Sequence, residues 1–171
     1  SIEPGVILDV ESFLETVFED QLSEAMELSL RMLDRTAKSK LAISEALTQN
    51  GYLEKTVKHT VDRLCELRLL DDEALAKRII ESAKRSDAGK YAIRKKLMNK
   101  GIPEDVFAPL LQDVQDDEQI ASALHLIEKY AYHRPKLTER ELQNKAVPYL
   151  ARHGFSWDCI NAAIERYFEE A

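Results

Sequence analysis

Residues 69–114 read LLDDEALAKRIIESAKRSDAGKYAIRKKLMNKGIPEDVFAPLLQDV, and this stretch decides the fold. Across 72–85, aliphatic residues recur at helical spacing on one side and charged residues fill the other, which predicts an amphipathic helix. Asp71 and Asp72 stand at its start, where carboxylates accept hydrogen bonds from the first free amides and interact favourably with the positive end of the helix dipole. Capping explains the acidic run 71–73 better than a divalent metal site does.

Two more helices follow in the same stretch. The segment 86–89 interrupts the first helix, and the second is predicted over about 90–99. Gly101 ends it, at the position after a helix where glycine adopts the left-handed conformation without strain. Pro103 opens the third helix, where a missing N–H group is tolerated, and Pro109 should kink or shorten that helix. A unit of three short helices is therefore expected.

The same unit recurs on both sides of this stretch. Gly51, Gly101 and Gly154 each follow a leucine by four positions and precede a large apolar residue, and further apolar residues stand six and ten positions after each glycine. Spacings of about 50 residues are typical of stacked repeats. The sequence therefore predicts an all-α fold of three tandem three-helix repeats.

Helices are also predicted towards both ends of the chain. Residues 6–8 read as either a strand stub or the start of a helix, Asp9 is expected to cap a helix that runs through Phe18, and a longer helix covers about 21–35. Trp157 is interpreted as a packing residue. The remaining helices are predicted over about 39–50, 53–68, 138–153 and 156–169.

Composition limits the class of protein. The 171 residues contain only five glycines and five prolines, which leaves little room for a sheet rich in turns. No stretch approaches the roughly 20 apolar residues of a membrane span. Cys65 and Cys159 lie far apart and form no metal spacing, so two reduced, buried thiols in a cytoplasmic protein are expected. Because the chain starts with Ser1, we interpret residues 1–24 as an acidic segment that remains from a trimmed N-terminal region.

Charge is distributed unevenly along the chain. The net charge is −7, yet residues 1–27 contain eight acids and no lysine or arginine, whereas residues 77–101 contain nine bases and two acids. Such asymmetry indicates a polyanionic or acidic partner. A run of basic residues is also compatible with a helix face that is merely solvated.

Residue patterns for catalysis are missing from the sequence. The four histidines stand in unrelated contexts, and there is no HExxH motif, no cysteine-rich zinc motif, no paired-carboxylate spacing and no glycine-rich phosphate loop. We therefore expect no enzyme activity, no catalytic residues, no bound metal and no cofactor.

A recognition surface is predicted instead on the second helix of the middle unit. Tyr91, Arg94, Lys95 and Met98 are spaced at i, i+3, i+4 and i+7, so they share one face, opposite aliphatic residues that point inward. Arginine and lysine pair with phosphates or carboxylates, and an interleaved tyrosine stacks on flat groups. A tyrosine packed among surface lysines would give the same pattern. The residues predicted to flank this face are Lys84, Arg85, Lys90 and Lys100.

Two of these segments resemble the RecX family, bacterial regulators of the RecA recombinase. LLDDEALA (69–76) is similar to a family motif of leucine, paired aspartates, glutamate, an aromatic residue and alanine, although Leu75 replaces the aromatic residue. GKYAIRKKLMNKGI (89–102) follows the family's glycine, isoleucine-arginine, leucine and lysine-glycine-isoleucine pattern. Residues 33–52 and 149–164 give weaker support.

The resemblance implies a curved, elongated array of three repeats, which we expect at residues 25–69, 70–115 and 116–171. It implies binding to the RecA–single-stranded-DNA filament, within its helical groove, and inhibition of recombinase, ATPase and co-protease activity in recombination, DNA repair and the SOS response. The protein is expected to be a cytoplasmic monomer that contacts single-stranded DNA weakly or within the filament and binds no membrane.

Two other functions remain open from the sequence. The helix–turn–helix character of each unit allows a nucleic-acid-binding protein whose main partner is DNA, although the acidic segment and the even charge balance elsewhere argue against tight autonomous binding. A helical adaptor for some other protein is the third hypothesis. Charge reversal at Arg94 and Lys95 should weaken the first two functions and leave an adaptor intact.

Overall fold

The computed structural model describes residues 4–170, with side chains described for residues 9–169. Within this range the chain is all-α, as predicted, and contains no strand. Its helices, in chain order, are α1 (Pro4–Arg35), α2 (Lys40–Gln49), α3 (Glu54–Glu66), α4 (Asp72–Arg85), α5 (Lys90–Asn99), α6 (Glu104–Gln112), α7 (Asp116–Tyr132), α8 (Glu139–Arg152) and α9 (Trp157–Glu170).

Helix α1 differs from its prediction. The sequence predicts two helices that separate between residues 18 and 21, whereas one helix runs from Pro4 to Arg35. No glycine or proline occurs between Val6 and Arg35, so nothing breaks the backbone hydrogen bonding. Residues 6–8 are therefore helical rather than a strand stub, and Asp9 lies inside the helix instead of capping it.

The chain divides within α4 into two compact units, residues 1–75 and 76–171. The first unit contains α1, α2 and α3, which pack around a buried cluster of aliphatic side chains. The start of α3 is tied to α1 by Gln21, whose side-chain oxygen accepts hydrogen bonds from the Leu53 amide at 3.1 Å and the Thr56 hydroxyl at 3.0 Å. The cluster consists of Ala25, Ile43, Leu47, Val57, Leu64 and Leu70.

The second unit contains α5 to α9, and a buried cluster lies between α7, α8 and α9. Leu150, Phe155 and Ile160 are buried there. Trp157 is not, because it begins α9 with 64% of its surface exposed, and Phe155 and Ile160 take the core positions on either side of it. The interpretation of Trp157 as a packing residue is therefore wrong.

The glycine register of the repeats is confirmed by the backbone. Gly51, Gly101 and Gly154 have φ angles of +84°, +75° and +88°, each just after the second helix of a unit. The bounds predicted for α4 and α5 match the observed ones. Pro103 is the N-cap residue of α6, and the nine-residue helix contains Pro109.

The two aspartates before α4 have different roles. Asp71 caps α4 as predicted, since its carboxylate accepts a hydrogen bond from the Ala74 amide at 2.9 Å. Asp72 does not cap α4. Its buried carboxylate accepts a hydrogen bond from the Lys40 amide at 3.0 Å and so caps α2. The hydrogen-bonding part of the prediction for Asp72 is wrong, because its acceptor oxygen satisfies an amide that lies far away in sequence, although Asp72 does stand in the first turn of α4 as predicted.

Candidate interaction surface on helix α5

Helix α5 begins at an N-terminus that its own side chains do not cap. The N-cap residue is Gly89, which has no side chain to accept a hydrogen bond. Groups from the following helices accept instead. The Gly89 amide donates to the His153 carbonyl at 2.9 Å, and the Tyr91 amide donates to the Gly154 carbonyl at 3.0 Å. The Lys90 amide donates to the side-chain oxygen of Gln119 at 2.8 Å.

The backbones around Gly89 and Gly154 approach too closely for any side chain. A Cβ atom on Gly89 would lie 2.2 Å from the carbonyl carbon of Gly154, and a Cβ on Gly154 would lie 2.3 Å from the amide nitrogen of Ala92. Neither distance is compatible with van der Waals contact. The turn after α8 thus holds the start of α5 through main-chain groups, and this contact positions Tyr91.

The predicted face of α5 points away from the core. Ile93 and Leu97 are fully buried, whereas Tyr91 and Met98 are 64% and 55% exposed. Arg94 and Lys95 are also exposed. Tyr91 and Arg94 line a surface depression of about 240 Å³, together with Lys90, Phe107, Ala108, Leu111 and Gln112. An aromatic ring and a thioether thus stand beside basic groups on an exposed face.

Three of the predicted basic residues are neutralised by neighbouring carboxylates. Lys84 donates to Glu118 at 2.7 Å, and this hydrogen bond raises the pKa of Lys84 above its ordinary value. The Lys90 ammonium lies 3.5 Å from an Asp116 oxygen. The Arg94 guanidinium forms a short hydrogen bond to Glu104. Such pairs contribute little to stability when exposed, but they reduce the positive potential.

The other three basic residues keep their charge available. Arg85, Lys95 and Lys100 are exposed, and none of them has an ion-pair partner within the part of the chain that the structure describes. Lys95 alone shares the face of Tyr91 and Met98, because Lys100 lies about half a turn round the helix from Tyr91 and Arg85 belongs to α4. The surface therefore centres on Tyr91, Arg94, Lys95 and Met98.

Sequence reasoning missed the residues that position this face. Gln119 is buried on α7, and it bridges the Lys90 amide and, at 3.4 Å, the carbonyl of Ala88. His153 and Gly154 contribute backbone carbonyls, for which no side-chain type gives a signal. The sequence signal for this role was Gln119 itself, a polar residue at a position on α7 where an amphipathic helix otherwise has apolar residues.

Among the described residues, one imidazole–carboxylate pair is formed, with His125 Nδ1 2.6 Å from an Asp87 oxygen. No cluster of histidine, cysteine and carboxylate side chains there has the arrangement of a metal site. Burial raises the pKa of the Cys159 thiol to about 11, so this side chain stays protonated and weakly nucleophilic. No helix in residues 4–170 is both long and apolar enough to cross a membrane.

Comparison with known proteins identifies the family. Residues 71–108 match the family model for the second three-helix domain of RecX, and residues 116–164 match the model for its third three-helix domain. A regulatory protein RecX of Clostridium perfringens (strain SM101 / Type A) is 30% identical over 167 residues, which cover 96% of this chain and 78% of that protein. The chain belongs to the RecX family. 

A further RecX protein supports the same assignment, and a solved RecX structure shares the fold. The regulatory protein RecX of Chlorobium limicola is 30% identical over 148 residues, covering 86% of this chain and 91% of its own length. The crystal structure of RecX from Lactobacillus salivarius superposes with a TM-score of 0.81 at 24% identity, covering 88% of this chain and 99% of that one. The RecX relatives are described as regulatory proteins rather than as enzymes, and the fold is shared.

Proposed function

We propose that this member of the RecX family binds the RecA filament assembled on single-stranded DNA and inhibits its recombinase, ATPase and co-protease activities. Membership of a family of regulatory proteins is the observation that carries the proposal. The protein acts in the cytoplasm as a monomer and without chemistry of its own. DNA as the main partner, or another protein as the target, are the competing possibilities.

The exposed face of α5 is the surface that we assign to the filament. Lys95 carries an unneutralised charge between two groups that bury well in interfaces, the ring of Tyr91 and the thioether of Met98. Tyrosine, methionine and arginine are enriched in protein interfaces, whereas a lysine contributes mainly through electrostatic complementarity with its partner. The Arg94 guanidinium, held by Glu104, is fixed in position and adds a second donor group beside the depression.

The experiment measures fluorescence anisotropy of labelled single-stranded DNA, bare and coated with RecA and a slowly hydrolysed nucleotide, with DNA-dependent ATP hydrolysis followed in parallel. We expect binding to the coated filament at concentrations that leave bare DNA unbound, together with loss of ATPase. Equal binding to bare DNA, with ATPase lost only through competition for DNA, would identify DNA as the main partner. No binding and no ATPase loss would favour a different protein target.

A matched pair of variants tests the surface. Lys95→Glu places a carboxylate on the assigned face, whereas Lys96→Glu makes the same change about 100° further round the same helix. Both lysines are exposed and have no ion-pair partner among the side chains described for residues 9–169. We expect Lys95→Glu to weaken filament binding on the order of tenfold, about 1.4 kcal/mol, because the attractive charge becomes a repulsive one at an exposed position where solvent screens part of the repulsion. Equal effects of both variants would mean that only net charge matters.

A further inference from the structure

A row of planar side chains lies where α7 and α8 end, and the α5 surface does not include it. The guanidinium carbon of Arg134 is 3.8 Å from the ring centre of Tyr130. The rings of Tyr130 and Tyr149 are 4.6 Å apart, and those of Tyr149 and His153 are 4.4 Å apart, with tilts of 48° and 50°. Four flat groups therefore follow one another, with a guanidinium at one end and an imidazole at the other.

Members of this row are accessible to a ligand. Arg134 is exposed, and Tyr130, Tyr149 and His153 are partly buried residues that each keep some exposed surface. The Arg134 side chain also donates to the Tyr130 carbonyl at 3.5 Å, and His153 Nδ1 lies 2.8 Å from the Tyr149 carbonyl. The row is preorganised, because these contacts limit the rotation of both end groups.

Basic residues outnumber acidic ones in the segment that contains the row. Residues 129–153 contain six lysines and arginines, all exposed, against two acids. One of these acids, Glu141, is engaged at the start of α8, where it accepts hydrogen bonds from the Thr138 amide and hydroxyl. None of the six bases has an ion-pair partner in the described part of the chain. Lys145 and Arg152 share the helix face of Tyr149, at i−4 and i+3.

We propose that this row, formed by Arg134, Tyr130, Tyr149 and His153, binds single-stranded nucleic acid by stacking unpaired bases on its ends, while Lys145 and Arg152 contact the phosphates. Flat groups flanked by unneutralised bases are the combination that such strands require, since every base has a π face and every linkage a charge. An acidic protein segment would use the charges but gain nothing from the rings. The proposal goes beyond the function proposed above because it needs no recombinase.

The experiment measures anisotropy of a fluorescein-labelled 20-nucleotide oligothymidylate with the full chain, at low salt and without RecA. Arg134→Ala removes one end of the row, and Arg140→Ala is its control, because Arg140 has the same charge but lies about 140° round α8 from Lys145. We expect about tenfold weaker binding for Arg134→Ala, the range found for loss of one stacking contact, and nearly wild-type binding for Arg140→Ala. Arg134→Lys should restore less than half of the lost affinity, because lysine keeps the charge but not the plane.

Cross-linking locates the bound base directly. Ultraviolet irradiation of a 5-bromouracil oligonucleotide joins the base to an aromatic ring in contact with it, and mass spectrometry identifies the peptide. Because the bases stack on the ends of the row, we expect cross-links at His153, its aromatic end, and none at Tyr132, a tyrosine on the other side of α7 that is 81% exposed. Any one of four results would overturn the proposal. The first is cross-linking at Tyr132 or Tyr91 instead, and the second is an equal loss of affinity for Arg134→Ala and Arg140→Ala. The others are full competition by polyglutamate and no binding of the wild-type chain.

Discussion

Helices α2 and α5 occupy the same place in successive repeats, yet their N-termini are held differently. At α2, the hydroxyl of Ser39 accepts a hydrogen bond from the Ala42 amide at 3.1 Å, and Asp72 accepts one from the Lys40 amide. Side chains alone therefore cap α2. At α5, the N-cap is Gly89, and two of its three distant acceptors are backbone carbonyls.

This difference determines which residues at the two helix N-termini can be substituted. A side-chain cap is replaceable by another residue with an acceptor, at a cost of about 1 kcal/mol when the acceptor is lost. A contact between two backbones tolerates no side chain at all on either partner, as at Gly89 and Gly154. The helix that carries the candidate surface is thus held by the more restrictive of the two devices.

Enlarging Gly154 should have the largest effect. In Gly154→Ala the new methyl group meets the backbone of Ala92, and the residue must also keep a φ near +88°. We expect the free energy of unfolding to fall by about 2–5 kcal/mol, the sum of left-handed strain and overpacking. Chemical denaturation measures the change.

Gly51→Ala is the matched control. Gly51 has nearly the same φ, +84°, but a Cβ there would meet no atom within 4 Å. The fall in the free energy of unfolding of Gly51→Ala should be limited to the left-handed backbone strain, about 1–2 kcal/mol. If both variants lose the same stability, the close backbone approach at α5 carries no energetic weight, and the contrast between α2 and α5 disappears.

Removing the buried acceptor Gln119 should have an intermediate effect. Gln119→Leu keeps the volume but leaves the Lys90 amide without its acceptor. We expect a loss of about 1–3 kcal/mol, typical of a buried polar group left unsatisfied. The denaturation midpoint should fall at an unchanged slope with denaturant. At α2 the change to compare is Asp72→Asn, which retains a carbonyl acceptor for the Lys40 amide and should therefore lower the free energy of unfolding by less. A larger loss for Asp72→Asn would mean that the acceptor at α2 contributes more to stability than the one at α5.

The smallest effect is expected at α8, which is the second helix of the third repeat, as α2 and α5 are of the first two repeats. Its N-terminus is capped by residues at its own start. The amide and then the hydroxyl of Thr138 donate to Glu141, and these bonds hold the pKa of that carboxyl below its ordinary value. Because the folded pKa is lowered, the stabilisation is present above the unfolded pKa and is lost as pH falls through the folded one.

Glu141→Gln therefore gives a pH-dependent difference. The variant should melt slightly below the wild type at pH 7, and the gap should close at pH 3, because protonation removes the same charge from the wild type. Thermal melting at both pH values measures it. A gap of equal size at pH 3 would show that the carboxylate charge does not contribute to capping.

Much of this architecture was predictable because its causes are local. Helical spacing and caps define α4 and α5, and the opposed faces of α5 follow from the same periodicity. The ion pairs of Lys84 and Lys90 were not predictable, because their carboxylates come from α7. The prediction of two helices within α1 was wrong because acidic residues that resemble caps were interpreted as a helix start. No glycine or proline interrupts this segment, so one helix continues through it.

Gly89 illustrates why the site itself was harder to predict than the fold. Glycine suits both a left-handed turn and a close backbone approach, and the sequence does not distinguish the two. Here the left-handed residue of the turn is Asp87, with φ of 55°, while Gly89 is extended with φ of −74°. Its requirement arises from the backbone of Gly154 and Phe155, which belong to another repeat.

The contact between Gly89 and Gly154 also constrains how this sequence can evolve. Each glycine is confined by main-chain atoms of the other segment, and main-chain atoms do not change when a codon does. A mutation at either site therefore has no compensating mutation of a neighbouring side chain, and divergence around these positions must leave both intact. Variants that keep this fold are therefore expected to retain glycine at both positions, whereas the exposed face of α5 carries no such constraint.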